Sequence, residues 1–430
     1  MKNEVITIFE DYPNKLPDYE KHLQNFYVLR DIIGRKDFSL QSDGTIQVMH
    51  YVGFFQRGNT RIQILPKIYA KSDLASYTDT EIKTSLDFIY RLLNWSGYLK
   101  HKKLSNQLQS SSESDLLEIF IGIFINEFDD LFRRKIFRTY EQLEENQQFI
   151  KGKILFSETI RRNPILKHLH TVRFDEYTIN NPLNQIFKSL ILQLLSKTNR
   201  SENKKKLVTG LNYLQDVDLI NLNPNVFLKI KFDRLNTEFE PLFNLAKLFF
   251  HNAQPGLSEG KEKTFSFLVP IHLLFENFVA KIFEPFSDDE RKFNYHKSQQ
   301  FLAWHKDIEV FKLIPDFTIT QVNKVITLLD TKYKNPIDKN GNIAIKTDDL
   351  YQLTTYALCY NCKSLFLIYP KFLGSGISES ILAEYKIQSP FGFITLRVIQ
   401  IDIMEINLDK ITASLRNEVY PLIIKEQIEI

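Results

Sequence analysis

Several features common in other protein classes are scarce or missing in this chain of 430 residues. It has only two cysteines, too few for the disulfide framework of a small secreted protein. No uninterrupted apolar stretch reaches the roughly 20 residues that a membrane-spanning helix needs. The first residues include Glu4, Glu10 and Asp11 and lack a long apolar core, unlike a signal or transit peptide. We therefore expect a cytoplasmic protein that does not contact a membrane.

Glycine-rich motifs that bind nucleotide phosphates are also missing. Neither G-x-x-x-x-G-K followed by Ser or Thr nor G-x-G-x-x-G occurs, so we expect this chain to bind and hydrolyse no nucleotide itself. The formal net charge is only +3. This value argues neither for nor against nucleic-acid binding, because such binding depends on a local basic face.

Large apolar side chains, by contrast, are abundant. The chain has 35 Phe and 19 Tyr, and its hydrophobic (43%) and charged (25%) fractions are those of a normal globular protein. Such side chains supply ample area to bury, so we expect an ordered chain. Because its length exceeds what one ordinary core accommodates, we expect two or three domains.

The first segment, residues 1–104, is predicted to be a β-rich domain. Residues 45–55 contain many strand formers in partial alternation, and residues 61–65 alternate again after a turn at residues 57–60. These runs predict a hairpin that stops at Pro66.

The second segment, residues 105–255, is predicted to be mainly helical. Residues 116–128 are apolar on nearly every side, which is typical of a buried helix. Residues 182–197 predict another helix, with Pro182 suited to its first turn. Residues 252–261 have the composition of a linker, so we place a domain boundary near them.

The third segment, residues 256–430, alternates helices with strands. We predict helices over residues 267–286 and 347–362, and strands around residues 308–320, 324–333, 364–369 and 393–403. This order predicts a mixed sheet flanked by helices. The chain as a whole is therefore predicted to be a multidomain α+β protein.

Two carboxylates and an ammonium group are predicted to converge in this third segment. Asp330 and Lys332 project from one face of their strand while Thr331 points away, because side chains alternate along a strand. A neighbouring strand, connected to theirs by the turn at residues 321–324, can bring Asp316 to the same face. Asp330 also ends an apolar run, where a charge is costly unless it has a function.

This combination is the one that hydrolysis of a phosphodiester needs. Carboxylates hold a hard cation such as Mg²⁺ through oxygen ligands, and the cation lowers the pKa of a bound water. A lysine can orient that water and stabilise the charge that develops on phosphorus. A bland alternative stays open, in which Asp316 is a turn residue and Asp330 and Lys332 form a surface or cross-strand ion pair.

Three further residues fit the same site. Glu276 lies in an apolar helical stretch and is predicted to be a further metal ligand, although it could instead lie on the solvated side of its helix. Gln352 and Tyr356 share a helix face and could reach a phosphate or order the site, while a structural role is a fair alternative.

Other possible motifs carry less weight. Cys359 and Cys362 form a C-x-x-C pair, but zinc would need two more ligands, and we expect two core cysteines. The pair of histidines at 168 and 170 is predicted to be structural, and the role of His305 stays open.

Three blocks around this site resemble the McrC family, the nuclease subunit of McrBC-type restriction systems in the PD-(D/E)xK superfamily. They are residues 313–316, 329–334 (Leu-Asp-Thr-Lys-Tyr-Lys, the most specific) and 349–357. Further matches cover most of the chain and lie at residues 51–53, 64–68, 150–154, 174–178, 182–184 and 275–279. A local departure is Asn180-Asn181, where the family would have an acidic residue.

The resemblance implies a function and a partner. It implies a Mg²⁺-dependent endonuclease subunit that works with a McrB-like AAA+ GTPase hexamer, stimulates its GTP hydrolysis and cuts double-stranded DNA. Whether the DNA must be methylated stays open. Residues 1–104 would dock on the partner, and residues 256–430 would form the PD-(D/E)xK domain. The turn Arg57–Arg61 is one candidate for docking because it presents two arginines, although exposed loop arginines are usually just solvated.

The implied catalytic residues are Asp316, Asp330, Lys332, Glu276 and Gln352. The implied metal ligands are Asp316, Asp330, Glu276 and the backbone carbonyl of Thr331. Two alternatives remain: a catalytically idle activator of the GTPase, and a DNA-repair nuclease that works without a partner.

Overall fold

The computed structural model describes residues 4–16, 18–69, 77–96, 115–252, 264–322, 324–338, 340–390 and 392–425. The described residues form two compact units, one from residues 115–252 and one from the described stretches before residue 97 and after residue 263. The described parts of the first and third predicted segments share one unit. Apart from residue 252, the predicted linker at residues 252–261 lies outside the described residues.

The N-terminal part of the larger unit combines a hairpin with a parallel strand. Its elements are β1 (Glu4–Phe9), β2 (Asn14–Lys15), α1 (Leu23–Ile33), β3 (Phe38–Leu40), β4 (Thr45–Val48), β5 (Tyr51–Arg57), β6 (Thr60–Leu65) and α2 (Asp79–Trp95). Strands β5 and β6 form the predicted hairpin, and β1 pairs with β6 in parallel. Strand β4 lies between β2 and β3 in a separate sheet.

The turn of this hairpin does not expose both of its arginines. Arg61 is fully buried, and its guanidinium donates a hydrogen bond of 3.2 Å to Gln56. A buried arginine is inaccessible to a partner, so the suggestion that both arginines of this turn are presented for docking is wrong for Arg61.

The smaller unit is mainly helical, as predicted, with one antiparallel sheet. Its elements are α3 (Leu116–Arg134), β7 (Thr139–Gln147), β8 (Lys153–Ile154), α4 (Phe156–Arg162), β9 (His170–Thr178), α5 (Pro182–Leu195), α6 (Ser201–Tyr213), α7 (Pro224–Leu228) and α8 (Glu240–Asn252). Helix α3 is buried over most of its length. Helix α5 begins with Pro182 after an Asn181 side-chain cap, which explains why it starts there.

The C-terminal part of the larger unit contains a mixed six-stranded sheet. Its elements are β10 (Thr264–Pro270), α9 (Ile271–Phe283), β11 (Arg291–Tyr295), β12 (Gln300–His305), β13 (Ile308–Leu313), β14 (Phe317–Gln321), β15 (Lys324–Thr331), α10 (Thr347–Tyr360), β16 (Ser364–Lys371), β17 (Ile381–Ser389), β18 (Gly392–Asp402), α11 (Leu408–Glu418) and α12 (Tyr420–Lys425). The sheet order is β11-β14-β15-β16-β18-β17, with β15, β16 and β18 parallel.

Strand β10 corrects the predicted start of a helix at residue 267. Its residues pair antiparallel with β5 and complete a four-stranded sheet of order β1-β6-β5-β10. The close pairing requires Gly53, which has a φ of 134° and whose place in the sheet leaves no room for a Cβ beside the Phe267 carbonyl. Helix α9 therefore begins only at Ile271.

The core of the six-stranded sheet lies under α10. Buried side chains of β15, β16 and β18 pack there against Leu353, Tyr356 and Ala357 of the helix. The chain is a mixed α+β protein, as predicted. Among the described helices, none combines the length and the apolar character needed to cross a membrane.

Candidate metal centre

The β14–β15 hairpin brings Asp316 beside the end of β15. Phe317 pairs with Leu329, so Asp316 precedes β14 at the level where β15 reaches Asp330. The backbone N–H and the hydroxyl of Thr331 each donate a hydrogen bond of 2.8 Å to Oδ2 of Asp316. Thr331 thus contacts the site, although strand alternation predicts that it points away.

Asp330 and Lys332 form an ion pair inside the protein. Nζ of Lys332 lies 2.7 Å from Oδ2 of Asp330, and the Asp330 side chain is only 2% exposed. The backbone N–H of Lys332 donates to the Ile368 carbonyl of β16 at 2.9 Å, which holds Lys332 in place beyond the end of β15. Because Asp330 is buried, the alternative in which it belongs to a surface ion pair is wrong.

Helix α10 supplies neighbours for the Lys332 ammonium group. Nζ of Lys332 donates a hydrogen bond of 3.3 Å to Oε1 of Gln352, whose Nε2 donates to the Tyr356 hydroxyl at 3.1 Å. Asp349 lies 3.9 Å from the same ammonium group and pairs with Lys334. The predicted shared face of Gln352 and Tyr356 is therefore confirmed, and it faces Lys332.

Glu276 approaches the site from helix α9. Its side chain is buried, and Oε1 lies 2.6 Å from Nε2 of His296, the residue that follows β11. Nε2 of His296 lies 4.0 Å from Oδ1 of Asp316. One ligand atom from each of Glu276, His296 and Asp316 can be chosen so that all lie within 4.8 Å of one another, close enough to hold a metal ion.

Crowding of the carboxylates perturbs their protonation. Burial first, and then the charges of Asp316 and Asp330, raise the pKa of Glu276 to about 8. Burial and the Asp316 charge likewise raise the pKa of Asp330. Burial alone would lower the pKa of Lys332, but the charges of Asp330, Asp316 and Asp349 outweigh it, so that pKa is raised. These carboxylates therefore repel one another in the absence of a cation.

The structure thus brings together the side chains that the sequence singles out. Asp316, Asp330 and Lys332 meet at the end of β15, with Gln352 on the α10 side and Glu276 on the α9 side. The Thr331 carbonyl stays a predicted ligand. His296 is a cluster member that the sequence analysis missed, and the only signal for it is the strand-forming Phe293 and Tyr295 just before it.

The other candidate residues lie outside this cluster. Cys362 is buried and its thiol donates a hydrogen bond to the Ser364 carbonyl, while Cys359 is partly buried, and the two cysteines form no disulfide. His305 is an exposed residue at the end of β12.

Solved structures of similar fold exist. The chain aligns with a TM-score of 0.77 and 21% identity to a chain of the refined half-complex from the tetradecameric assembly of Thermococcus gammatolerans McrB AAA+ hexamers with bound McrC, covering 97% of this chain and 100% of the other. It aligns with a TM-score of 0.50 and 24% identity to a chain of the cryo-EM structure of the T. gammatolerans McrBC complex, covering 65% and 87%. At these identities, the likeness shows a shared fold.

Sequence comparison identifies the family. The chain is 25% identical over 284 residues to the type IV methyl-directed restriction enzyme EcoKMcrBC of Escherichia coli (strain K12), an alignment that spans 62% of this chain and 79% of the relative. The profile of the McrBC 5-methylcytosine restriction system component matches residues 46–370, a range that contains the candidate centre. Since this match spans well over half of the sequence, the chain belongs to the McrBC family of 5-methylcytosine restriction system components, as its Leu-Asp-Thr-Lys-Tyr-Lys block predicts.

Proposed function

We propose that this chain is the endonuclease subunit of a McrBC-type restriction system and hydrolyses DNA phosphodiesters with the help of Mg²⁺. The observation that carries the proposal is the buried Asp330–Lys332 ion pair of 2.7 Å beside the Asp316 carboxylate. A carboxylate pair with an adjacent ammonium group at the end of one strand is what a PD-(D/E)xK nuclease needs. We assign that domain to residues 256–430.

The residues present fit a divalent cation. Asp316, Asp330 and Glu276 supply oxygen ligands of the kind that Mg²⁺ prefers, and the Thr331 carbonyl is proposed as another. Burial first, and then repulsion from neighbouring carboxylates, raises the pKa of Glu276 and of Asp330, and a bound cation would offset that repulsion. When bound, the cation would polarise the scissile phosphate and lower the pKa of the attacking water.

The chain's own side chains would then orient the reactants. Lys332 lies where it can hold the attacking water and balance the negative charge that grows on the phosphate. Asp330 keeps the Lys332 ammonium group protonated, and Gln352 fixes its direction with a hydrogen bond. Thr331 holds Asp316 in one rotamer with two hydrogen bonds, so the carboxylate is preorganised.

The proposed partner is a McrB-like AAA+ GTPase hexamer, whose GTP hydrolysis this chain would stimulate. Support comes from the fold, since the chain aligns over 97% of its length with one from an assembly that contains McrB hexamers with bound McrC. The sequence lacks a phosphate-binding loop, which fits a chain that leaves nucleotide hydrolysis to its partner. We propose that residues 1–104 dock on the partner and that the substrate is double-stranded DNA.

A plasmid-cleavage assay tests the proposal. Wild-type chain, partner, GTP and Mg²⁺ should together cut DNA, and omission of Mg²⁺ or of the partner should stop cutting. Stimulated GTP hydrolysis without any cutting would contradict the nuclease and support an idle activator. Cutting without the partner would contradict the partner requirement and support a stand-alone nuclease.

A further inference from the structure

The third member of the cluster, His296, suggests which metal the centre prefers. Resting on the proposed function, we infer that His296 binds the cation through Nε2, so that the centre takes a transition-metal ion such as Mn²⁺ more tightly than Mg²⁺. Nε2 of His296 lies 2.6 Å from Oε1 of Glu276 and 4.0 Å from Oδ1 of Asp316. Two ligand atoms at about 2.1 Å from one ion can be at most about 4.2 Å apart, so both separations fit a single ion.

The short contact between His296 and Glu276 does not have the geometry of a hydrogen bond. Oε1 of Glu276 is inaccessible to solvent and has no hydrogen-bond partner among the described residues, although Nε2 is only 2.6 Å away. The contact between His50 and Asp37, at 2.9 Å, does form a hydrogen bond. A proton on Nε2 of His296 would not point at Oε1 of Glu276. A cation that lies off the line between these two atoms would therefore accept a lone pair from each of them better.

The imidazole ring is held in position before any ligand binds. The backbone N–H of His296 donates a hydrogen bond of 3.1 Å to the Asp316 carbonyl, and the ring stacks on Tyr295 with centroids 4.4 Å apart. His296 has a φ of 47°, a left-handed conformation that is uncommon outside glycine. Such a backbone persists where surrounding contacts enforce it, and here it turns the ring toward the two carboxylates.

A nitrogen ligand changes the preference of the centre. Carboxylates and carbonyls alone suit Mg²⁺, which is a hard ion that dehydrates reluctantly. An imidazole favours softer first-row ions, whose affinity for mixed nitrogen and oxygen sites exceeds that of Mg²⁺. The carboxylates explain why Mg²⁺ can act at the centre, and His296 explains why Mn²⁺ should bind there more tightly.

Binding of Mn²⁺ to the full-length chain, without DNA or partner, tests the inference by electron paramagnetic resonance. Wild type should bind Mn²⁺ at least about 10-fold more tightly than Mg²⁺ in competition, and the pulsed spectrum of bound Mn²⁺ should show coupling to an imidazole nitrogen. His296→Ala should lose that coupling and weaken Mn²⁺ binding about 10- to 100-fold, with a smaller loss for Mg²⁺. His296→Gln, which keeps a side chain of similar reach without imidazole, should also lose the coupling.

His272 provides the matched control. It lies one helical turn before Glu276 on α9 and is near enough to the centre to feel the charge of Asp316. Burial and the nearby His50 charge lower the pKa of His272, although the Asp316 charge opposes them. His272→Ala should keep both the nitrogen coupling and the Mn²⁺ affinity, and unfolding curves should show that each variant is folded. Bound Mn²⁺ without nitrogen coupling in wild type, or loss of the coupling only in His272→Ala, would overturn the inference.

Failure of the inference and failure of the proposed function give different results. Nitrogen coupling with no plasmid cleavage would leave the His296 assignment standing and contradict the nuclease. Plasmid cleavage with Mn²⁺ bound through oxygen atoms alone would leave the nuclease standing and contradict the role of His296.

Discussion

The hydroxyl of Tyr333 donates a hydrogen bond of 2.8 Å to the backbone carbonyl of Lys67. Tyr333 directly follows Lys332, and its ring packs against Phe275 and Phe372 at centroid distances of 5.7 and 5.9 Å. Lys67 lies just beyond the end of β6. The Tyr333 side chain therefore links the candidate centre to the N-terminal part of the same compact unit.

Loss of this hydrogen bond should destabilise the larger unit. Tyr333→Phe should lower the free energy of unfolding by about 1 kcal/mol, because the Lys67 carbonyl loses its donor. Urea unfolding followed by tryptophan fluorescence measures the effect, since Trp95 and Trp304 both belong to this unit. Tyr351→Phe, at a tyrosine that is 66% exposed, is the control and should change nothing. Equal losses in both variants would contradict the role of the hydrogen bond.

Removal of the Lys332 ammonium group should abolish cleavage without disturbing the partner. Lys332→Ala should lower the cleavage rate about 100-fold or more, because the reacting water and phosphate lose their charged neighbour. Stimulation of the partner's GTP hydrolysis should persist, and Asp330→Ala should behave in the same way. Lys324→Ala, at the exposed opposite end of β15, is the control. Normal cleavage by Lys332→Ala would disprove the site assignment.

The hydroxyl of Thr331 should matter for the same reaction. Thr331→Val keeps the shape of the side chain but removes one of the two hydrogen bonds to Oδ2 of Asp316. We expect cleavage to fall about 10- to 100-fold, because such supporting contacts orient a metal ligand. Thr331→Ser keeps the hydroxyl and should remain close to wild type. The measurement is the cleavage rate at several Mg²⁺ concentrations. Equal rates for Thr331→Val and Thr331→Ser would contradict the role of the hydroxyl.

Glu10 should make stability depend on pH. Burial first, opposed by the Lys67 charge and reinforced by that of Asp11, raises its pKa from 4.5 to about 7. Between those values the unfolded chain loses the Glu10 proton while the folded chain keeps it, so the folded state becomes less stable as pH rises. The change amounts to about 3 kcal/mol in total and levels off above pH 7.

Glu10→Gln measures this contribution. The variant should match wild type below about pH 4.5 and become more stable than wild type by pH 7, when unfolding free energies are compared at each pH. Its side-chain oxygen can still accept the hydrogen bond from the His50 backbone. A constant difference between the two proteins across this range would show that Glu10 does not titrate as argued.

Gly53 should tolerate no side chain. A Cβ at this position would lie 1.8 Å from the Phe267 carbonyl oxygen, and the φ of 134° is itself unfavourable for other residues. Gly53→Ala should therefore cost more than about 3 kcal/mol or prevent β10 from pairing with β5. Gly341→Ala is the matched control, because it has a φ of 81° with nothing within 4 Å and should cost only about 1 kcal/mol. Thermal unfolding distinguishes the two outcomes.

The elements that sequence patterns predicted are those with short-range causes. The apolar run of α3, the Pro182 start of α5 and the hairpins β5–β6 and β14–β15 all depend on neighbours within a few residues. The last of these hairpins carries Asp316 to Asp330, so the centre of the candidate site was predictable. Strand β10 was missed because it pairs with β5, far earlier in the chain.

The role of His296 was equally hidden from the sequence. The hairpin of β12 and β13 separates it from Asp316 along the chain, and β11 brings it back by pairing with β14. Its contact with Glu276 further requires α9 to lie against the same end of the sheet. No local spacing encodes that arrangement.

What the sequence by itself determined is the identity and the local order of the reacting groups. Alternation of side chains puts Asp330 and Lys332 on one face, and a short turn leads the chain from Asp316 back to Asp330, because both depend only on backbone geometry between near neighbours. Only the tertiary structure decided that Glu276 and His296 complete the cluster and that Tyr333 ties it to Lys67. Those contacts join segments far apart in the chain, and only the packing of helices and strands into a common core brings such segments together.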